Sequence, residues 1–132
     1  MNAHKPNEHG SISGFVVTLT MTFVACAGLA LDGGRMLAVR TQLADSAENA
    51  ARAGAQEVTS LRSGSPKLNI FAATQTAEEY LSRFEISGVV NADSNQVTVT
   101  ANSEVQMTLL GLFGVNKREI SVTRTAQPFT NP

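Results

Sequence analysis

A run of 22 residues without a charged side chain or a histidine, Gly10–Leu31, constrains this chain more than any other feature of its sequence. A helix needs about 20 mostly apolar residues to cross the roughly 30 Å hydrocarbon core of a bilayer. Serine and threonine interrupt the run, but in a helix each hydroxyl can bond to the carbonyl four residues earlier, which lowers its cost in lipid. The sequence therefore predicts one membrane-spanning helix over residues 11–31, after a polar leader or cytoplasmic tail at 1–10.

The same N-terminus is compatible with two cleaved forms. Ala25-Cys26-Ala27 resembles a signal-peptidase site, and Phe23-Val24-Ala25-Cys26 resembles a lipobox with Cys26 as the lipidated residue. The apolar pattern, however, continues past Cys26 to Leu31 and enters a helical pattern without a polar linker. This continuity favours a retained anchor, and the alternative is a lipidated or secreted small binding domain.

The charges that flank the apolar run do not set its orientation. Lys5 precedes the run, and Arg35 and Arg40 follow it, so the positive-inside rule gives nearly a tie. The short N-terminal flank, beside a domain of about 100 residues, favours an N-terminus inside and a C-terminal domain, 32–132, outside.

Several residues of this first region are candidates for helix packing or docking. Gly10 and Gly14 fit a small-xxx-small helix contact. Asp32 and Arg35 are spaced to pair on one helix face, and they either fix the depth of the helix or offer docking charges to a partner. Gly33, with the adjacent Gly34, weakens the helix by about 1 kcal/mol per glycine and marks a kink or a close helix approach.

The segment Met36–Leu61 continues the helical pattern with an unusually small apolar face. Ala47, Ala51 and Gly54 are its packing candidates, because small side chains let another element approach closely. That element is either the chain's own sheet or a neighbouring helix in an assembly. The helix is expected to run from Ser11 to about Ser60.

The rest of the chain predicts one more helix and a small sheet. A helix over 69–84 is expected after a loop at 62–67. Its inner stripe is predicted to consist of Phe71, Thr74 or Gln75, Ala77, Tyr80-Leu81 and Phe84. The predicted strands are 86–91, 97–109 and 118–127. The second is expected to bury its odd-numbered residues and to bend near Asn102-Ser103, and the third is expected to bury Ile120 and Val122. Leu109–Val115 reads as a short helix or packed loop. Helices laid over one face of such strands make an α+β domain with an antiparallel sheet.

The sequence offers no set of catalytic or metal-binding residues. Both histidines lie in the leader, and Cys26 is the single cysteine, so neither a Ser-His-Asp arrangement nor a thiolate metal site is expected. The net charge of −1 gives no case for nucleic acid. We therefore expect a non-enzyme without cofactor, metal or small-molecule substrate, whose partners are membrane lipid and other proteins.

The order of elements resembles a known family. The residues that carry the resemblance are Gly10–Phe15, Leu31–Arg35, Arg40–Ala44, Ala47–Ala55 and, nearer the C-terminus, Leu109–Val115. They are similar to those of the TadE/TadG-like proteins of Flp (Tad) pilus assembly, especially short actinobacterial forms. The resemblance implies a pilin-like, single-pass protein of the cytoplasmic membrane that acts as a minor pilin or as an assembly or anchoring factor. Its partners would be other pilin-like subunits, including copies of itself.

The resemblance has one departure. Members that a prepilin peptidase processes have Gly before the cut and Glu at the fifth mature position. The corresponding residue here is Phe15 after Gly10, or Leu19 after Gly14. The sequence thus leaves open whether this chain is processed and whether it enters a fibre.

Overall fold

The first element is a single long helix, α1, which spans His9–Ala55. The computed structural model describes residues 9–59 and 67–129, and side chains of α1 from Ile12 onward. The 47 residues of α1 give a length of about 70 Å at 1.5 Å per residue. It continues through Gly33 and Gly34, as predicted. It ends at Ala55 instead of about Ser60, because Val58–Thr59 form a short strand. Residues 1–8 of the predicted leader and residues 62–66 of the predicted loop lie outside the described residues.

The first half of α1 is exposed and apolar. Only 6% of its most apolar 18-residue window is buried, and this helix is a candidate membrane span by length and composition. The predicted hydroxyl contacts are confirmed: Thr18 donates to the Gly14 carbonyl at 2.9 Å and Thr20 to the Val16 carbonyl at 2.8 Å. These bonds satisfy the hydroxyls inside the helix, as a lipid environment requires.

Beyond α1, the described residues form a second α-helix and five strands. The strands are β1 (Val58–Thr59), β2 (Lys67–Leu68), β3 (Ser87–Ala92), β4 (Val97–Gln106) and β5 (Lys117–Ala126), and helix α2 is Ile70–Arg83. β1 pairs with β2, and β3, β4 and β5 form an antiparallel sheet in that order. The predicted α+β class is confirmed. The β1–β2 pair was not predicted, because two-residue strands are too short to show alternation.

Strand β4 lies at the centre of the three-stranded sheet and shows the predicted alternation. Val97, Val99, Ala101 and Val105 are buried. Its pairing with β5 runs without interruption from Val97 to Gln106, so the bend expected near residues 102 and 103 does not break the ladder. The strand ends before Leu109, because the Met107 amide bonds to the Asn116 carbonyl at 2.8 Å and begins the connection to β5.

Helix α2 buries a narrower stripe than the sequence predicted. Ala73, Ala77 and Leu81 are its buried residues, whereas Phe71 is 79% exposed. The expectation that Phe71 and Phe84 face the core is wrong. The reason is the close approach of α1: a Cβ built on Gly54 would lie 2.7 Å from the Ala73 carbonyl oxygen, which leaves no room for an aromatic ring between the helices.

One small aliphatic core joins α1, α2 and the sheet. Alanines on α1 pack on alanines of α2, and valines of β4 fill the space beneath both helices. The buried core residues of α1 are Leu43, Ala47, Ala50, Ala51 and Ala55. The alanine-rich face that the sequence predicted is thus covered by the chain's own α2 and sheet.

Candidate functional site at Asp32

The most unusual side chain of the described structure is Asp32, where the exposed half of α1 meets the folded domain. It is 1% exposed, and it is the one buried polar or charged residue among the described residues. Its carboxylate accepts three backbone N–H bonds: Oδ1 from Thr108 at 3.1 Å, and Oδ2 from Leu109 at 2.9 Å and Leu110 at 2.7 Å. A buried carboxylate is stable in a protein only with such partners.

These amides belong to the start of a short 3₁₀ helix, Leu110–Phe113, in the connection between β4 and β5. The first amides of a helix have no partner within it and are usually capped by a nearby side chain. Leu109 is the N-cap residue that precedes this helix, and its own side chain makes no capping bond. Asp32, 76 residues before Thr108, supplies the cap from α1. The carboxylate therefore links the β4–β5 connection directly to the long helix.

Gly28 lets the connection reach the helix one turn earlier. A Cβ built on Gly28 would lie 3.1 Å from Leu109 Cβ and 3.9 Å from Leu110 Cδ2. Gly28 and Asp32 are four residues apart, so they face the same side of α1. The same side of α1 carries Leu43, the first residue of the helix in the domain core. Contacts between α1 and the domain therefore begin at Gly28, 15 residues before Leu43.

Arg35 completes the junction. Its Nη1 donates to Thr108 Oγ1 at 2.8 Å. The predicted pairing of Asp32 with Arg35 takes an indirect form, since both side chains bind the same short segment. Within the described ranges, the salt bridges are Arg52–Glu48 and Lys117–Glu104, and Arg35 contributes its positive charge near Asp32 without a direct contact.

These contacts hold the pKa of Asp32 below its ordinary value of 3.8. The Leu110 amide contributes most to the lowering, and burial opposes it. The Thr108 and Leu109 amides and the charge of Arg35 also lower the pKa. Asp32 is thus a carboxylate at neutral pH and acts as an acceptor rather than as a proton donor.

The other predicted packing residues fall into two groups. At Gly14 and Gly33, an added Cβ would have no atom of the chain within 4 Å beyond the helix itself. Ala47 and Ala51 are fully buried, and Gly54 lies against α2 and β4. The structure therefore places the second group in the domain core and leaves the first group open. Gly10 lies in the first turn of α1, in the part whose side chains are not described.

Gly33 also lines a groove between α1 and β5. The groove has a volume of about 530 Å³, and its walls include Leu37, Arg40, Arg118 and Ile120. It is open to solvent and mostly apolar. Across residues 9–59 and 67–129, no three His, Cys, Asp or Glu side chains are grouped as metal ligands.

Comparison with known families matches residues 10–57 to the Tad family model, which describes Flp pilus-assembly TadE/G-like proteins. The match supports the predicted TadE/TadG-like resemblance over this segment, which is just over a third of the chain. The TadE/G-like segment corresponds to α1 and the two residues that follow it, so it contains Gly28, Asp32 and Arg35. No curated protein and no solved structure gives a significant match to the chain.

The partners of the TadE/G-like helix within the chain lie outside the matched segment. Sequence reasoning selected Asp32 and Arg35 but missed Gly28 and the amides of Thr108, Leu109 and Leu110. Backbone amides leave no mark on a sequence. Two features of the sequence could have indicated the junction. Gly28 and Asp32 are four residues apart on one side of the helix, and the connection between β4 and β5 is apolar, so part of it was expected to pack against another element.

Proposed function

We propose that this chain is a non-enzymatic, membrane-anchored component of a Flp-type pilus-assembly apparatus, either a minor pilin-like subunit or an anchoring factor. The TadE/G-like segment supports the pilus assignment. The observation that carries the anchoring role is the division of α1. Its first half exposes apolar side chains, and its second half is built into the domain core.

The proposal includes a membrane arrangement, in which the division of α1 supports the span and the short N-terminal flank supports the orientation. Residues 11–31 cross the cytoplasmic membrane, the N-terminus stays inside, and the domain folds outside. Because α1 is continuous, a force on the domain is passed to the membrane segment through one rigid element. The Asp32 junction adds a second connection, since it ties the β4–β5 connection to the same helix.

Lateral contacts are assigned to the open residues of α1. Gly14 and Gly33 are the candidate contacts with neighbouring pilin-like helices, because no other element of the described chain covers them. Small residues let two membrane helices approach closely. Ala47, Ala51 and Gly54 are assigned a role inside the domain, because a partner helix at these positions would have to displace α2.

The orientation is tested by cysteine labelling in intact cells. The native thiol is removed with Cys26→Ser, and Ser82→Cys places a new thiol on exposed α2. A membrane-impermeant maleimide should label Ser82→Cys without lysis. Labelling that appears only after lysis would place the domain inside the cell and reject the proposed arrangement.

The pilus role is tested by deletion and complementation. Deletion should abolish or reduce surface pili, and the wild-type chain should restore them. A matched control replaces residues 1–31 with a cleavable secretory signal, so that the same domain is exported without an anchor. This control should not restore pili. If deletion leaves pili and their function intact, the proposed role is wrong.

A further inference from the structure

The connection between β4 and β5 is an ordered apolar loop rather than a polar turn. Residues 107–116 contain no charged side chain. The loop is held by its own backbone bonds: Leu112 donates to the Leu109 carbonyl at 3.2 Å, and Val115 donates to the Leu110 carbonyl at 3.1 Å. Gly114, with a φ of 91°, allows the chain to reverse at the end of the 3₁₀ helix. Its shape is therefore fixed before any partner binds.

The loop directs apolar side chains away from the protein. Leu109 and Leu110 are partly buried toward α1, but Leu112 is 73% exposed and Phe113 is 54% exposed, and Val115 is exposed as well. An exposed cluster of this kind is typical of an interaction surface. Because the loop is already closed by backbone bonds, burial of these side chains needs no rearrangement.

The position of the loop along α1 identifies what covers it. Leu109 contacts Gly28, three residues before the end of the charge-free run at Leu31. Three residues correspond to about 5 Å of helix. If residues 11–31 span the hydrocarbon core, then Gly28 and the loop beside it lie at the outer edge of that core. Arg35 binds Thr108 in the first part of the loop, and Lys117 follows the last loop residue, so both place positive charge close to where the headgroups would be.

We propose that Leu112, Phe113 and Val115 insert into the outer leaflet beside α1, so that the domain contacts lipid at a second place. The proposal rests on the membrane anchoring proposed above. It gives the Asp32 junction a purpose: the carboxylate satisfies the amides of a loop that enters a region where water is scarce, as backbone groups near lipid require. The domain is thereby held at a fixed angle to the membrane instead of pivoting on α1.

Fluorescence quenching tests the insertion, because the chain has no tryptophan of its own. Three full-length variants, Phe113→Trp, Phe15→Trp and Phe71→Trp, are reconstituted into phosphatidylcholine–phosphatidylglycerol vesicles with or without bromine on the acyl chains. Phe15→Trp reports the span, and Phe71→Trp reports the exposed face of α2. We expect bromine to quench Phe113→Trp and Phe15→Trp strongly and Phe71→Trp weakly.

The outcomes separate the two proposals. Quenching of Phe15→Trp without quenching of Phe113→Trp would overturn the loop insertion and leave the anchor intact. Absence of quenching in both would reject the anchor itself. An unquenched Phe113→Trp whose emission shifts to the blue as the protein-to-lipid ratio rises would show that another copy of the chain covers the loop, and would also overturn the insertion.

Discussion

Gly54 provides the sharpest test of how α1 is built into the domain. A Cβ at this position would lie 2.7 Å from the Ala73 carbonyl oxygen and 3.3 Å from Val97 Cγ1. The first of these atoms is backbone, so the clash can be relieved only by moving α1 and α2 apart. Ordinary contact begins at 3.4 Å, which requires a separation of about 0.7 Å. In a core this small, that movement would loosen the alanine contacts on both sides.

The expected magnitude follows from two opposing effects of Gly54→Ala. Overpacking costs about 1–3 kcal/mol, and the better helix propensity of alanine returns about 1 kcal/mol. The net loss is about 1 kcal/mol in the free energy of unfolding. For a domain of this size, that loss lowers the Tm by about 4–8 °C.

The assay is thermal unfolding of the full chain in detergent, followed by circular dichroism. Gly34→Ala is the matched control, because it is a glycine of the same helix with no atom within 4 Å of its added Cβ. It should gain only the propensity term and should keep or raise the Tm. A Gly54→Ala variant as stable as Gly34→Ala would refute the close packing of α1 on α2.

Three further predictions concern the Asp32 junction and are measured by amide hydrogen exchange at Thr108–Leu110. Asp32→Asn replaces one acceptor oxygen with an amide donor, so the protection of these amides should fall. Asp45→Asn, a control at an exposed position of α1, should leave their protection unchanged. Equal protection in both variants would contradict the capping role. In the wild type the pKa of Asp32 is lowered, so the junction should be fully formed above pH 3.8 and weaken only as the pH falls further; loss of protection near neutral pH would be inconsistent with this sign. Gly28→Val should displace Leu109 and reduce protection, whereas Gly14→Val, which meets no atom, should not; the reverse order would refute the contact at Gly28.

Local patterns in the sequence were enough to predict most of the fold. The charge-free run predicted the exposed half of α1. The alanine face of α1 predicted burial at helical spacing, and the alternation in β4 predicted burial of every second residue. The structure has all three where the sequence put them. Phe71 was misplaced because helical spacing put it on one stripe with Ala77 and Phe84. In this core the distance between α1 and α2 is set by Gly54, so alanine occupies the inner positions.

The candidate site could be predicted only in part. Asp32 and Arg35 stood out as the first charges after an apolar run, but their partners are three amides and a hydroxyl more than 70 residues away. Such contacts depend on the length of the β4–β5 hairpin and on its angle to α1. Neither the length nor the angle of the hairpin can be read from local periodicity. The sequence therefore indicated only where the apolar run ends, and the structure showed that the β4–β5 connection is bound to α1 at that point.

The central claim is that residues 11–31 remain part of the mature protein as its membrane anchor. The most direct measurement is the N-terminal sequence, with the intact mass, of the chain extracted from membranes. We expect a mature N-terminus before Ile12. An N-terminus at Cys26 carrying a diacylglyceryl group, or at Gly28 after cleavage behind Ala27, would remove the span and contradict the account.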